Sequence, residues 1–194
     1  MISMELIKAL RERTGAGIVE VKKALEEAEG DEEGAIRILR ERGAAKAVKK
    51  TDREAKEGVI ATYLHGNGRV AAMVKLFCET DFVARNSDFQ ELGRDIAMHV
   101  AAMNPSVLRP EDVSGSTIES ERSVWAEELR NAGKPEEMIG KILEGKERKL
   151  REESALLTQP FVKDPDRTVA DLLSENVQKI GENIQIGGFV RYEI

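Results

Sequence analysis

Between Gly58 and Cys78 the chain carries the pattern of a β-hairpin, which restricts its fold more than any other stretch. Gly58–His65 places β-branched and aromatic residues at Val59, Ile60, Thr62 and Tyr63, as a strand requires. Gly66-Asn67-Gly68 follows, and Asn and Gly accept the positive φ of a tight hairpin turn. No helix follows this turn to complete an anion site, so a phosphate-binding role is rejected. The return strand, Arg69 to about Cys78, alternates. Val70, Ala72, Val74, Leu76 and Cys78 fall on one face, with Met73 and Phe77 on the other. Both faces are apolar, which predicts helices over more than one side of the sheet.

The strand pattern ends in Cys78-Glu79-Thr80-Asp81-Phe82-Val83-Ala84-Arg85-Asn86. An acid and an aromatic stand together there, in a chain with only eight aromatic residues. From the residues alone two readings stand. Phe82 can pack inward while Asp81 caps the next helix, which is the favoured one, or the pair can enter another protein. Cys78 reads as a small packed side chain rather than a nucleophile. Ser87 and Gln90 then form a capping-box pair. Phe89, Leu92, Ile96, Val100 and Met103 line one helical face, His99 is a structural residue, and Asn104-Pro105 ends the helix.

Beyond it, a helix is predicted over Thr117–Asn131, anchored by Val124, Trp125 and Leu129. Another runs from Pro135 to about Leu157, with one side solvated by Lys, Arg and Glu. Gln159–Pro165 is a connection, Thr168 caps a short helix, and a closing strand runs to Tyr192 with a bulge at Gly187-Gly188. Strands near both ends of this region predict an antiparallel sheet closed by the C-terminus.

The first fifty residues read as three helices. Ser3 caps the first, whose apolar positions are Leu6, Ile7 and Leu10. Thr14-Gly15-Ala16-Gly17 turns the chain. This is no phosphate loop, since it lacks a preceding strand and the Gly-Lys-Ser/Thr ending. Ile18 to Ala28 forms the second helix, with Ile18, Val21 and Leu25 on one face. Asp31 caps the third, which turns Ala35, Ile36 and Leu39 inward and stops near Gly43. So small a module is expected to be the softer part of the chain. Arg40, Arg42, Lys46, Lys49, Lys50 and Arg53 then make a cationic linker, read as a solvated helical connection rather than an RNA- or ribosome-facing patch because no aromatic is interleaved.

The reading is an α+β protein. Residues 1–54 are a three-helix module and linker, and residues 55–194 a core of a small antiparallel sheet packed with helices. A net charge of −6 argues against a nucleic-acid surface. No apolar run spans a bilayer, and the N-terminus lacks a signal peptide, so no membrane partner is expected. One cysteine and two separated histidines leave no intrachain disulfide and no Cys/His metal site, and fit a cytoplasmic location. No catalytic constellation and no cofactor are expected.

Leu10-Arg11-Glu12-Arg13-Thr14-Gly15-Ala16-Gly17 with Lys22-Lys23-Ala24-Leu25, Thr80-Asp81-Phe82-Val83, Gln159-Pro160-Phe161-Val162 and Gly181-Glu182-Asn183-Ile184 together resemble the bacterial translation elongation factor Ts family, over nearly the whole chain. The resemblance implies a ubiquitin-associated-like fold for the N-terminal module. It implies a guanine nucleotide exchange factor whose partner is elongation factor Tu, with Arg11, Ile18 and Val19 as docking residues. Thr80, Asp81, Phe82 and Val83 would then disturb the partner's magnesium site. It also implies a homodimer, because the chain has one core half where longer members have two. The family commonly carries methionines at positions 18 and 19, Glu at position 75 and Asn at position 77, where this chain has Ile18, Val19, Lys75 and Phe77. Two other functions stand as alternatives: a ubiquitin-associated-like adaptor using residues 1–50, and a ribosome- or RNA-binding protein using Arg40–Arg53.

Overall fold

A computed structural model describes residues 2–194. The chain forms two compact units, one of Met1–Ala101 with Ala170–Ile194 and one of Ala102–Val169. The architecture is α+β.

The first unit begins with three helices, α1 (Met4–Thr14), α2 (Ile18–Glu27) and α3 (Glu32–Val48). Their ends follow local chemistry. The Ser3 hydroxyl accepts from Leu6 N, the Asp31 carboxylate accepts from Gly34 N, and Gly15 takes φ +66° to close α1. Ile7, Leu10, Ala16, Val21, Ala24, Leu25, Ala35, Ile36 and Leu39 form their common core. Helix α3 does not stop at Gly43 but runs on to Val48. The alanine-rich stretch after Gly43 propagates the helix. Gly43 itself is buried against Gln178, whose side chain fills the space a Cβ would need.

The sheet of this unit has the order β1-β2-β5 and is antiparallel throughout, with β1 (Glu57–Leu64), β2 (Val70–Cys78) and β5 (Gln185–Glu193). At the hairpin turn Gly68 takes φ +69°, and the Asn67 side chain accepts from Arg69 N. The predicted bulge is present. The β2–β5 register shifts between Lys75 and Leu76, from Gly188 to Ile186, leaving Gly187 as the extra residue. The Phe77 ring lies over Gly187, in the space a Cβ there would occupy.

Val59, Ala61, Ala72, Val74 and Leu76 share the inner face of the sheet. Helix α5 (Ser87–Met103) packs on it and buries Phe89, Leu92, Ile96 and Val100. The helix comes close to the sheet at Gly93, where a Cβ would stand 2.8 Å from the Ala61 Cβ. Helix α5 is preceded by the four-residue α4 (Asp81–Ala84). Its start is capped by Asn86, whose Oδ1 accepts from Asp88 N at 2.7 Å and whose carbonyl accepts from Gln90 N. The expected Ser87–Gln90 box is therefore displaced by one residue, because Asn86 stands where the chain is still non-helical and can reach the free amides. The outer face of the sheet, with Ile60, Leu64, Met73, Val190 and Tyr192, is exposed. This differs from the expectation of helices on more than one side. An alternating apolar strand marks a burial-competent face but does not say what buries it. Helix α8 (Val169–Ile180) completes the unit, its Lys179 paired with Asp88 at 2.7 Å.

The second unit is a helical hairpin, α6 (Gly115–Asn131) and α7 (Glu136–Ser154), with a small sheet of β3 (Pro160–Phe161) and β4 (Asp164–Thr168) that the sequence suggested only as a connection. Few apolar side chains are buried between the helices: Ile118 on α6, Ile139 and Leu143 on α7. Val124, an expected anchor, is exposed. Polar stitches do much of the joining. Arg122 donates to Glu147 at 2.7 Å, and Lys146 stands 5.4 Å above the Trp125 ring. Hydrogen bonds from Arg122 and Arg151 hold the Glu147 carboxyl below its usual range.

Two outcomes follow. Gly93→Val should destabilise the protein by about 2 kcal/mol through overpacking against Ala61, measured by urea unfolding; unchanged stability would contradict the close approach. Cys78 is fully buried, and burial, with the Glu182 carboxylate as the second cause, pushes its thiol from 9.0 up to about 11. The folded state therefore keeps this proton after the unfolded chain has lost it, so this contribution to stability is whole below the unfolded value and falls as pH rises from it towards 11. Iodoacetamide should label Cys78 only as fast as the chain unfolds, and rapid labelling of the folded protein would overturn that.

Candidate functional site

Strand β2 delivers the chain to a corner. Cys78 is its last residue, and the Thr80 backbone is still extended (φ −127°, ψ 154°) when α4 begins at Asp81. The Thr80 hydroxyl accepts from Val83 N at 3.4 Å, so Thr80, not Asp81, caps this helix. Asp81 pairs instead with Arg85 one turn on, at 2.9 Å. One turn of helix presents four side chains in sequence, and here they divide sharply. Ala84 is buried, Asp81 and Val83 are half-buried, and Phe82 is 80% exposed. Inward packing of Phe82 is thereby excluded in the free chain. Leaving a phenyl ring in water forgoes roughly 1.5–3 kcal/mol of burial, an arrangement that folding alone does not favour.

The corner is held from behind by a distant turn, Gly181–Asn183. One Glu182 carboxylate oxygen accepts from Glu79 N at 3.0 Å and from Thr80 N at 3.1 Å. The other accepts from the Thr80 hydroxyl at 2.7 Å. The exchange is reciprocal, since Glu79 accepts from Asn183 N at 2.6 Å. Buried Asn183 in turn donates to the Arg53 carbonyl at 2.7 Å, and Lys50 donates to the Gly181 carbonyl at 2.5 Å. The Cys78 thiol donates to the Thr80 carbonyl at 3.2 Å. These bonds satisfy the amides that the corner takes out of the sheet ladder. Glu182 and its neighbours were legible only as part of a family-like run. Because 102 residues separate Glu182 from Thr80, no local signal in the sequence links them.

The N-terminal residues singled out in the sequence sit at the Thr14–Gly17 turn. Arg11 is exposed on the last turn of α1, and Ile18 and Val19 open α2 at 47% and 66% exposure. Of the apolar face expected for α2, Val21 and Leu25 are core and Ile18 is not. No hydrogen bond or ion pair joins this group to Thr80–Val83 among the described residues.

The cationic linker has internal partners. Arg40 faces Glu175 at 3.5 Å, Arg42 pairs with Glu27, Lys46 with Glu20, and Arg53 with Glu79 at 3.5 Å. The Lys46 hydrogen bond is the first cause of the lowered Glu20 carboxyl pKa. No group of three or more His, Cys, Asp or Glu side chains fit to hold a metal ion occurs among the described residues, and no helix among them is long and apolar enough to cross a membrane.

A family model described as Elongation factor TS matches residues 16–194. A protein named Elongation factor Ts from Thermosipho melanesiensis is 53% identical over 194 residues, covering 100% of this chain and 99% of the relative. One of that name from Rubrobacter xylanophilus is 52% identical over 191 residues, covering 98% of each. Another, from Carboxydothermus hydrogenoformans, is 51% identical and covers 100% of this chain and 89% of the relative. A family model over residues 16–194 and likeness along the full length of the relatives show that the chain belongs to the elongation factor Ts family.

Proposed function

We propose that this chain is a guanine nucleotide exchange factor that acts on the GDP-bound form of elongation factor Tu in the cytoplasm. The observation that carries the reading is Phe82, 80% exposed on one turn of helix whose root is tied down by Glu182. No covalent chemistry by this chain is required, and no cofactor. An exchange factor works by linkage. If it binds the nucleotide-free GTPase more tightly than the GDP-bound form, it weakens GDP binding by the same ratio.

Phe82 supplies the differential contact. It is solvated in the free factor and buried when it wedges into the partner, a gain of roughly 1.5–3 kcal/mol. Asp81 accompanies it as a charged neighbour. Magnesium in the partner's site demands near-ideal octahedral ligands, so displacing them by a fraction of an ångström weakens it, and the phosphates lose their main counter-charge. Thr80 and Val83 set the wedge's angle, Thr80 by capping the turn. Arg11, Ile18 and Val19 form a second contact that holds the partner without touching its nucleotide.

A second copy of this chain completes the factor. The outer sheet face, with Ile60, Leu64, Met73, Val190 and Tyr192 exposed, supports a homodimer in which two such faces pack together. The adaptor alternative leaves the sheet and its corner without a task. The RNA alternative is disfavoured because Arg40, Arg42, Lys46 and Arg53 are matched by carboxylates of the same chain.

Phe82→Ala should leave the fold intact and slow GDP release from elongation factor Tu about ten- to a hundredfold. Stopped-flow release of a fluorescent GDP at the unaltered rate would sink the wedge. Met73→Glu with Val190→Asp should convert the dimer to monomer in sedimentation velocity, through two charges buried face to face. A parent protein already monomeric at micromolar concentration would remove the dimer.

A further inference from the structure

We infer that Glu182 is a positioning residue for exchange: its carboxylate sets the direction in which Phe82 is presented to the partner. This rests on the reading of Phe82 as the wedge. Three donors converge on the one carboxylate, the amides of Glu79 and Thr80 and the Thr80 hydroxyl, at 2.7–3.1 Å. Both amides belong to the two residues between the last strand residue and the first residue of α4. A strand-to-helix corner otherwise keeps its freedom at this point, because its amides have left the ladder and have not entered a helix. A fixed ionised acceptor removes that freedom, since charge-assisted bonds are shorter and stronger than neutral ones.

Phe82 gains nothing from its own core that could orient it, being almost wholly in water. Its direction is inherited from the backbone of Thr80 and Asp81, and hence from Glu182. The turn that carries Glu182 is itself anchored. Asn183 is buried and holds the Arg53 carbonyl, and Glu79 takes the Asn183 amide. The segment leaving α3 and the root of the wedge are thus tied to the same three-residue turn. A wedge attached through a loose corner would spend binding energy on ordering itself, leaving less for displacing magnesium.

The test uses the full-length chain and GDP-bound elongation factor Tu, with stopped-flow GDP release followed over a range of factor concentrations. Glu182→Ala should lower the rate at saturation about tenfold, with a smaller change in half-saturating concentration, because the Arg11, Ile18 and Val19 contact is untouched. Glu182→Gln should restore most of that rate. Its amide oxygen can still accept from both backbone N–H groups, and its NH2 can donate to the Thr80 hydroxyl. Hydrogen exchange at the Glu79 and Thr80 amides should quicken in the alanine variant and return in the glutamine variant. Phe82→Ala runs in parallel. If it slows release and Glu182→Ala does not, the positioning role is overturned while the wedge stands. If Phe82→Ala releases GDP at the parent rate, the wedge itself falls. A glutamine variant as slow as the alanine one, at equal thermal stability, also overturns the proposal. Should Glu182→Ala fail to fold, Glu182→Asp, which keeps the charge but draws the carboxylate back by one methylene from the three donors, carries the same comparison.

Discussion

The carboxylates of Glu79 and Glu182 bind backbone amides across each other's turns, and the candidate site depends on that exchange. Strand β2 ends at Cys78 and β5 begins at Gln185, so the chain leaves the sheet at one point and re-enters it nearby. Both departures free backbone groups that water would otherwise claim. Answering them with two ionised side chains and a buried asparagine lets the corner be tight and the aromatic beyond it be bare. Burial first, and the Glu182 carboxylate second, keep Cys78 a thiol beside this exchange.

Elsewhere the two units are held by different means. Around the sheet, close apolar packing dominates, with Gly93 admitting Ala61 and Gly187 admitting the Phe77 ring. The position where this chain carries Phe77 is therefore answered across the strand pair, by a bulge that leaves room for the ring. The α6–α7 hairpin buries little and relies on Arg122 against Glu147 and on Lys146 against Glu128 and the Trp125 face. The N-terminal helices have a small core of their own, and their basic side chains reach out to acids on α2 and α8. Much of the sequence's high charge is thus matched locally instead of being offered to a polyanion.

The secondary elements were largely written in the chain. The Asn-Gly turn, the two-residue alternation of β2 and the caps at Ser3 and Asp31 are short-range signals, and each acts over a few residues. Signals failed where a neighbour distant in sequence decided. Gly43 reads as a stop, but the alanines after it carry α3 on, and its missing side chain instead makes room for the distant Gln178. Val124 reads as an anchor, yet the hairpin turns it to solvent. Ser87 also reads as a cap, but there the decision is local: Asn86, one residue earlier and outside the helix, reaches the amide instead.

By itself the sequence determined the α+β class, the hairpin, the bulge at the paired glycines and a strand end carrying Asp81 and Phe82. Family likeness suggested a role in partner binding for that strand end. Tertiary structure alone decided that Phe82 faces water, that Thr80 and not Asp81 caps its turn, and that Glu182 holds the turn's root. The reason is one of range. Periodicity and capping chemistry act between residues a few positions apart, whereas exposure of a ring and the bonding of a carboxylate depend on which distant segment folds beside it.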